Sequence, residues 1–239
     1  MFASPARAGF LRSSYATDTY HDAFMTTSRL LYAPNAYAAA DPLAIARAHP
    51  FALLVTHDGA ETYATSAPIL FVADDREDVM VGHMARRNPH APTLFAGQKA
   101  LAIFSGPHAY ISAAWYRDRP TVPTWNYLAA HVRGRLDPID DDEEQLRILR
   151  RTAEVMERGA AEPWTLEQAP PGRIAFLLPM IRSFRITVER VEGVTKLNQT
   201  HGPADRMRVM QELLASPDPG AHEIARLMAQ LGMSPEQKL

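Results

Sequence analysis

The stretch "GHMARRNPH", residues 82–90, gathers four side chains that can carry positive charge around an Asn-Pro break. His83, Arg86, Arg87 and His90 stand there in a chain whose formal net charge is −2, so the concentration is local. A solvated surface turn is one reading. The other is a site for a phosphate or another anion, held by guanidinium forks and amide N–H groups. A second concentration is aromatic: "GPHAYISAAWY" (106–116) and "VPTWNY" (122–127) hold two of the three Trp and three of the eight Tyr. Some of these rings must pack a core. Beside an anion site, the others would form a flat apolar wall, and the combination suits a phosphorylated planar cofactor.

Other chemistries lack their residues. There is no Cys, which removes disulfides, thiolate metal sites, iron–sulfur clusters and Cys nucleophiles together. The nine His include no HExxH and no close His–carboxylate pair at ligand spacing. No GxSxG elbow, strand-to-helix GxGxxG or GxxxxGK[ST] occurs. The charge balance argues against a nucleic-acid binder that relies on a bulk positive field. No run approaches the ~18 apolar residues of a membrane span. Residues 1–28 show no periodicity, caps or secretory h-region and read as a disordered extension, with Met25 as an alternative start. A cytoplasmic protein is expected. Of the 25 basic residues only Lys99, Lys196 and Lys238 are Lys.

The elements that must position these groups can be read from periodicity. "DPLAIARAH" (41–49) has Asp41 at an N-cap, Pro42 at the first helical position and Pro50 as a stop. "FALLVT" (51–56), the turn "HDG", "TYATSAPILFVA" (62–73), "VMVGHM" and "KALAIF" (99–104) follow as strands. "GPHAYIS" reads as a turn into a further strand, and "TWNYLAAHVRGRL" (124–136) as another. Pro68 inside the second strand predicts an edge position or a bulge. Consecutive strands with short turns predict an antiparallel barrel or sandwich. Residues 140–159 change to helical spacing through Leu146, Leu149, Ala153 and Met156, capped by Asp141 and Gly159. "RITVERVEG" (185–193) returns to strand, and two short helices, 204–215 and 221–231, close the chain around "SPDPG". Their Arg206, Arg208 and Arg226 are offset by Glu212, Asp218 and Glu223, so a DNA-reading helix pair has little support.

In this order and spacing, "HPFALLVT", "GHMARRNP", "LAIFSGPHAYISAAWY", "VPTWNY" and "VTKLNQT" closely resemble the PaiB-like family. That family is described as FMN-binding negative transcriptional regulators, with a split β-barrel related to the pyridoxamine-phosphate-oxidase-like flavoproteins. The resemblance spans roughly residues 30–215. It departs from the family pattern at "ATSAPI" (64–69), where a His is missing, and at "KLNQT", where "KLSQN" is usual. Arg87 and His90 replace a small and an amide residue of "ARANPQ".

The resemblance implies a mainly β, α+β fold: an FMN-binding split β-barrel, homodimeric, with each flavin at the subunit interface. It implies a barrel domain over 29–215 and a helical tail over 216–239. Arg86, with help from His83, Arg87 or Asn88, is then expected to hold the FMN phosphate. Trp125, Asn126 and Tyr127 are expected to flank the ring or face the partner. Lys196 and Gln199 are placed to donate to the pyrimidine edge, where positive charge stabilises reduced flavin. Two functions remain open on this reading, a PaiB-type regulator and an FMN-dependent oxidoreductase. A flavin-free dimeric barrel is a third. The partners expected are a second copy of the chain and, for a regulator, DNA, with no membrane.

Overall fold

In the computed structural model, residues 29–73, 76–117 and 121–231 are described; the expectations for residues 1–28 lie outside them. Six strands run β1 (Phe51–His57), β2 (Thr62–Ala73), β3 (Arg76–Ala85), β4 (Gln98–Ile111), β5 (Thr124–Ile139) and β6 (Ile181–Lys196). They close antiparallel in the order β1-β2-β3-β6-β5-β4. Of the barrel and the sandwich that the strand pattern allowed, the barrel is the fold, with the helices that the resemblance implied. Alternation sets its inside: Ala52 and Leu54, Ala67 and Ile69, Met80 and Met84, Ala102 and Phe104, Ala130 and Val132 share one core cluster with Phe184 and Ile186.

Local chemistry accounts for the turns. Asp58 Oδ1 accepts from the N–H groups of Ala60 and Glu61, both at 2.8 Å, while Gly59 takes the left-handed φ of 106°. Pro68 is neither at an edge nor at a bulge. It is the last residue that β2 pairs with β1, opposite Phe51, and pairing with β3 begins at Ile69. A residue without an N–H is tolerated at that handover. The bulge of β2 lies later, between Phe71 and Ala73.

Residues 98–111 form one strand where two were expected. A register shift between Ser105 and His108 takes the place of the turn predicted at "GPH". Before the shift Ala102 and Phe104 face the barrel core; after it Ala109 and Ile111 join a second cluster. The one extra residue of the bulge lets one strand serve both.

Five helices dress the barrel. In α1 (Pro42–Ala48), Asp41 Oδ1 accepts from Ala44 N at 2.9 Å, and in α2 (Asp142–Met156), Asp141 Oδ1 accepts from Glu144 N at 2.8 Å. The short α3 (Arg173–Leu177) carries no sequence signal strong enough to predict it. The last pair, α4 (Pro203–Ala215) and α5 (Pro219–Leu231), buries Val209, Leu213, Ile224 and Met228 against Ala109, Ile111 and Leu197. Helices on both sides of position 215/216 thus share one cluster with β4. No described helix is long and apolar enough to cross a membrane.

Candidate functional site

The residues of "GHMARRNPH" diverge at the end of β3. The His83 ring lines a cavity outside the barrel, next to α2 and α3. Arg86 Nε donates to the carbonyls of Pro179 (3.0 Å) and Ile181 (3.1 Å), and its Nη1 lies 3.7 Å from Asp140. Those contacts fix the fork at the start of β6. Arg87 is exposed and forms no ion pair among the described residues. Asn88 and His90 turn inward: Asn88 Nδ2 donates to Thr65 Oγ1 at 3.1 Å, and the His90 ring nitrogens sit 3.0 Å from Thr65 Oγ1 and 2.8 Å from Thr56 Oγ1. His90 is buried under the Tyr63 ring, and burial lowers its pKa. It is thus a neutral plug and contributes no positive charge. Of the four cationic candidates, the two arginines alone stand together at the strand end.

The aromatic residues sit at the other end of β5. Alternation sends Trp125 and Tyr127 to the outer face and Asn126 inward. Trp125 is half exposed and meets His108 and Tyr110, with ring centroids 5.9 and 5.8 Å apart. Trp125, Tyr127, His108 and Gly106 line an open cleft of about 280 Å³ over the β4 bulge. Asn126 is fully buried, its Nδ2 3.5 Å from Met228 Sδ and its Oδ1 without a partner. Lys196 pairs with Tyr127 across the sheet. Its Nζ donates to Thr124 Oγ1 at 2.6 Å and lies 5.6 Å from the Tyr37 ring centroid, with no carboxylate bound among the described residues. Gln199 is turned to the backbone: it accepts from Leu197 N at 2.7 Å and donates to Thr195 O.

Sequence reasoning passed over the residue between them. Asn198 has a left-handed φ of 60°, is buried, and donates from Nδ2 to Tyr116 OH at 2.6 Å. The Tyr116 ring stacks on His201 at 4.7 Å. A non-glycine residue held in that backbone region marks a loop whose shape is over-determined by its surroundings. The signal available was the Lys-Leu-Asn-Gln run itself, since Asn enters this region more readily than most residues.

The two groups pair with opposite ends of β6. His83 pairs with Ser183 near the start of β6, and Tyr127 pairs with Lys196 at its end. The intervening strand is about 40 Å long at ~3.3 Å per residue. The outer face of β1 presents Phe51 (67% exposed) and Leu53 (38% exposed).

Residues 31–190 match a family model described as "Putative FMN-binding domain". Protease synthase and sporulation protein PAI 2 of Bacillus subtilis is 35% identical over 180 residues, covering 74% of this chain and 85% of that protein. The uncharacterized protein AN0679 of Emericella nidulans is 29% identical over 67% of this chain and 80% of its own length. Among solved structures, the flavocytochrome Anf3 of Azotobacter vinelandii superposes with a TM-score of 0.51 at 16% identity, covering 70% of each chain.

Proposed function

The chain belongs to the FMN-binding domain family, and on that premise we propose that it works as a homodimer holding FMN in two sites, each built from opposite ends of two copies. The observation that carries this reading is the separation along β6. An end with Arg86 and Arg87 and an aromatic end with Trp125, Tyr127 and Lys196 pair with opposite ends of β6, which supports reading each as half of a site that a second copy completes. A two-fold axis brings the one end of a protomer to the other end of its partner. Phe51, Leu53, Tyr110 and Trp125 supply the exposed apolar face for that contact.

The residues present fit the cofactor. A phosphate needs donors fixed in advance, and the carbonyl contacts of Arg86 hold such a fork, with exposed Arg87 beside it. A ring system needs a flat apolar wall, which Trp125 and Tyr127 offer, and Lys196 brings positive charge with no carboxylate bound to it among the described residues. Gln199 belongs to the loop that shapes this end, and Asn126 anchors the strand from behind. Bound FMN supplies hydride and one-electron chemistry.

As for the role, we read the chain as a negative transcriptional regulator of PaiB type, its flavin serving as the sensing group. Direct DNA reading by α4–α5 has no support, since Arg206 donates to Met228 O and Arg208 and Arg226 pair with Asp205 and Glu223. An FMN-dependent oxidoreductase is the second reading, favoured by the open cleft beside Trp125, which leaves room for a reactant. Two measurements separate these. The purified protein is expected to be yellow, with a flavin band near ~450 nm. NAD(P)H-driven bleaching with turnover of an acceptor supports the enzyme; salt-sensitive binding to an operator fragment supports the regulator. A colourless protein that takes up no added FMN overturns both.

A further inference from the structure

Outside the barrel, α2, α3 and the start of β6 line an open cavity of about 380 Å³. Its walls come from Leu149, Ala153, Met156, Trp164, Ile174 and Ile181. The volume lies in the range of small-molecule pockets, about 300–1,000 Å³, and is too small for a helix or a peptide strand. Two of its polar side chains are already engaged within the chain. The Thr152 hydroxyl donates to the Ile148 carbonyl at 2.8 Å, and Glu157 accepts from Trp164 N at 3.2 Å. The His83 side chain makes no hydrogen bond with any described residue; its Nδ1 is buried, which leaves Nε2 as the accessible ring nitrogen. Burial lowers its pKa, so near neutral pH the ring is an uncharged donor and acceptor. A ligand group that hydrogen-bonds Nε2 would engage a polar atom that the apolar wall leaves without a partner.

We propose that this cavity is a binding site, separate from the flavin cleft, for a small uncharged aromatic or aliphatic molecule whose single polar group hydrogen-bonds His83. Charge narrows the class. Glu157 is the only ionisable acid on the wall, and no Arg or Lys lines the cavity. A carboxylate or phosphate would meet a like charge and find no cation. His83 stands on β3, three residues before Arg86.

Calorimetric titration of the full-length, flavin-loaded protein with 2-naphthol tests this, with 2-naphthoate as the charged counterpart. One naphthol per chain should bind saturably, and naphthoate should bind at least tenfold more weakly. Ala153→Trp, which fills the cavity, should abolish binding. His83→Leu, which removes the polar partner but keeps the bulk, should weaken it by about two- to tenfold. No saturable binding to the wild type overturns the proposal, as does binding unchanged in Ala153→Trp, the result expected for a probe in the flavin cleft. Equal affinity for naphthoate removes the uncharged class. Should Ala153→Trp fail to fold, unchanged affinity in His83→Leu is the overturning result.

Discussion

At the scale of single residues, Arg86 and Arg87 stand side by side in the chain yet do different work. Arg86 is held by two backbone carbonyls and faces Asp140, whereas Arg87 projects into solvent. A pre-positioned fork loses less freedom on binding an anion, so Arg86 is expected to carry more of the phosphate affinity. Arg86→Ala should weaken FMN about ten- to a hundredfold and leave riboflavin, which lacks the phosphate, scarcely changed. Arg87→Ala should weaken FMN less. Titrating both variants with both flavins makes the comparison, and wild-type FMN affinity in both would return the cluster to a solvated turn. His90 makes a different prediction. Its folded pKa lies below the ordinary 6.5 because burial disfavours the charged ring. The unfolded chain therefore binds the proton more readily, and stability should fall as pH drops below about 6.5. His90→Gln keeps a hydrogen-bonding side chain against Thr56 and Thr65 without a titratable group. Thermal melts from pH 7.5 to 5 should show a shallower loss for the variant; parallel curves would place the pH dependence elsewhere.

Among the elements, β5 and β6 are held in close approach at Gly134. A Cβ there would stand 2.1 Å from the Thr187 carbonyl oxygen and 2.9 Å from Ile186 Cγ2, at the register shift between Arg133 and Gly134. Gly134→Val should destabilise the barrel by at least about 1–3 kcal/mol, since a backbone oxygen cannot give way as a flexible side chain can. Chemical denaturation checks this, and an unchanged midpoint would mean that the two strands can separate locally without loss. The same region shows how far the sequence could be read. Strand identity was legible, because alternation of apolar residues is a local signal. The bulges were not, because they depend on which strand pairs on each side: residues 106–108 carry Gly and Pro like any turn, and only the pairing of β4 with β5 keeps them in one strand. The arginines and aromatics were legible as types. Their placement at opposite ends of β6 was not, since it follows from register. Asn198 was missed because its left-handed backbone conformation leaves no mark on periodicity.

For the whole molecule, the exposed face of β1, with Phe51 and Leu53, and the neighbouring Tyr110 and Trp125 predict a stable dimer. Light scattering at micromolar concentration should return twice the 26.5 kDa of one chain. Leu53→Asp should shift the protein toward monomer and lose flavin together, because a composite site cannot outlast its interface. A monomeric variant that retains FMN would separate the two properties.

Complementation between two defective chains tests the composite site most directly. Chains carrying Arg86→Ala and chains carrying Lys196→Ala are co-expressed, and the mixture is titrated at an FMN concentration that leaves either variant alone empty. In a mixed dimer one site collects both defects and the other collects neither. With random assortment, about a quarter of all sites should therefore regain wild-type affinity, a result expected only when each site draws on two protomers. If the mixed population stays empty although the mixed dimers form, both ends of each site belong to one chain, and the placement of FMN between copies is contradicted.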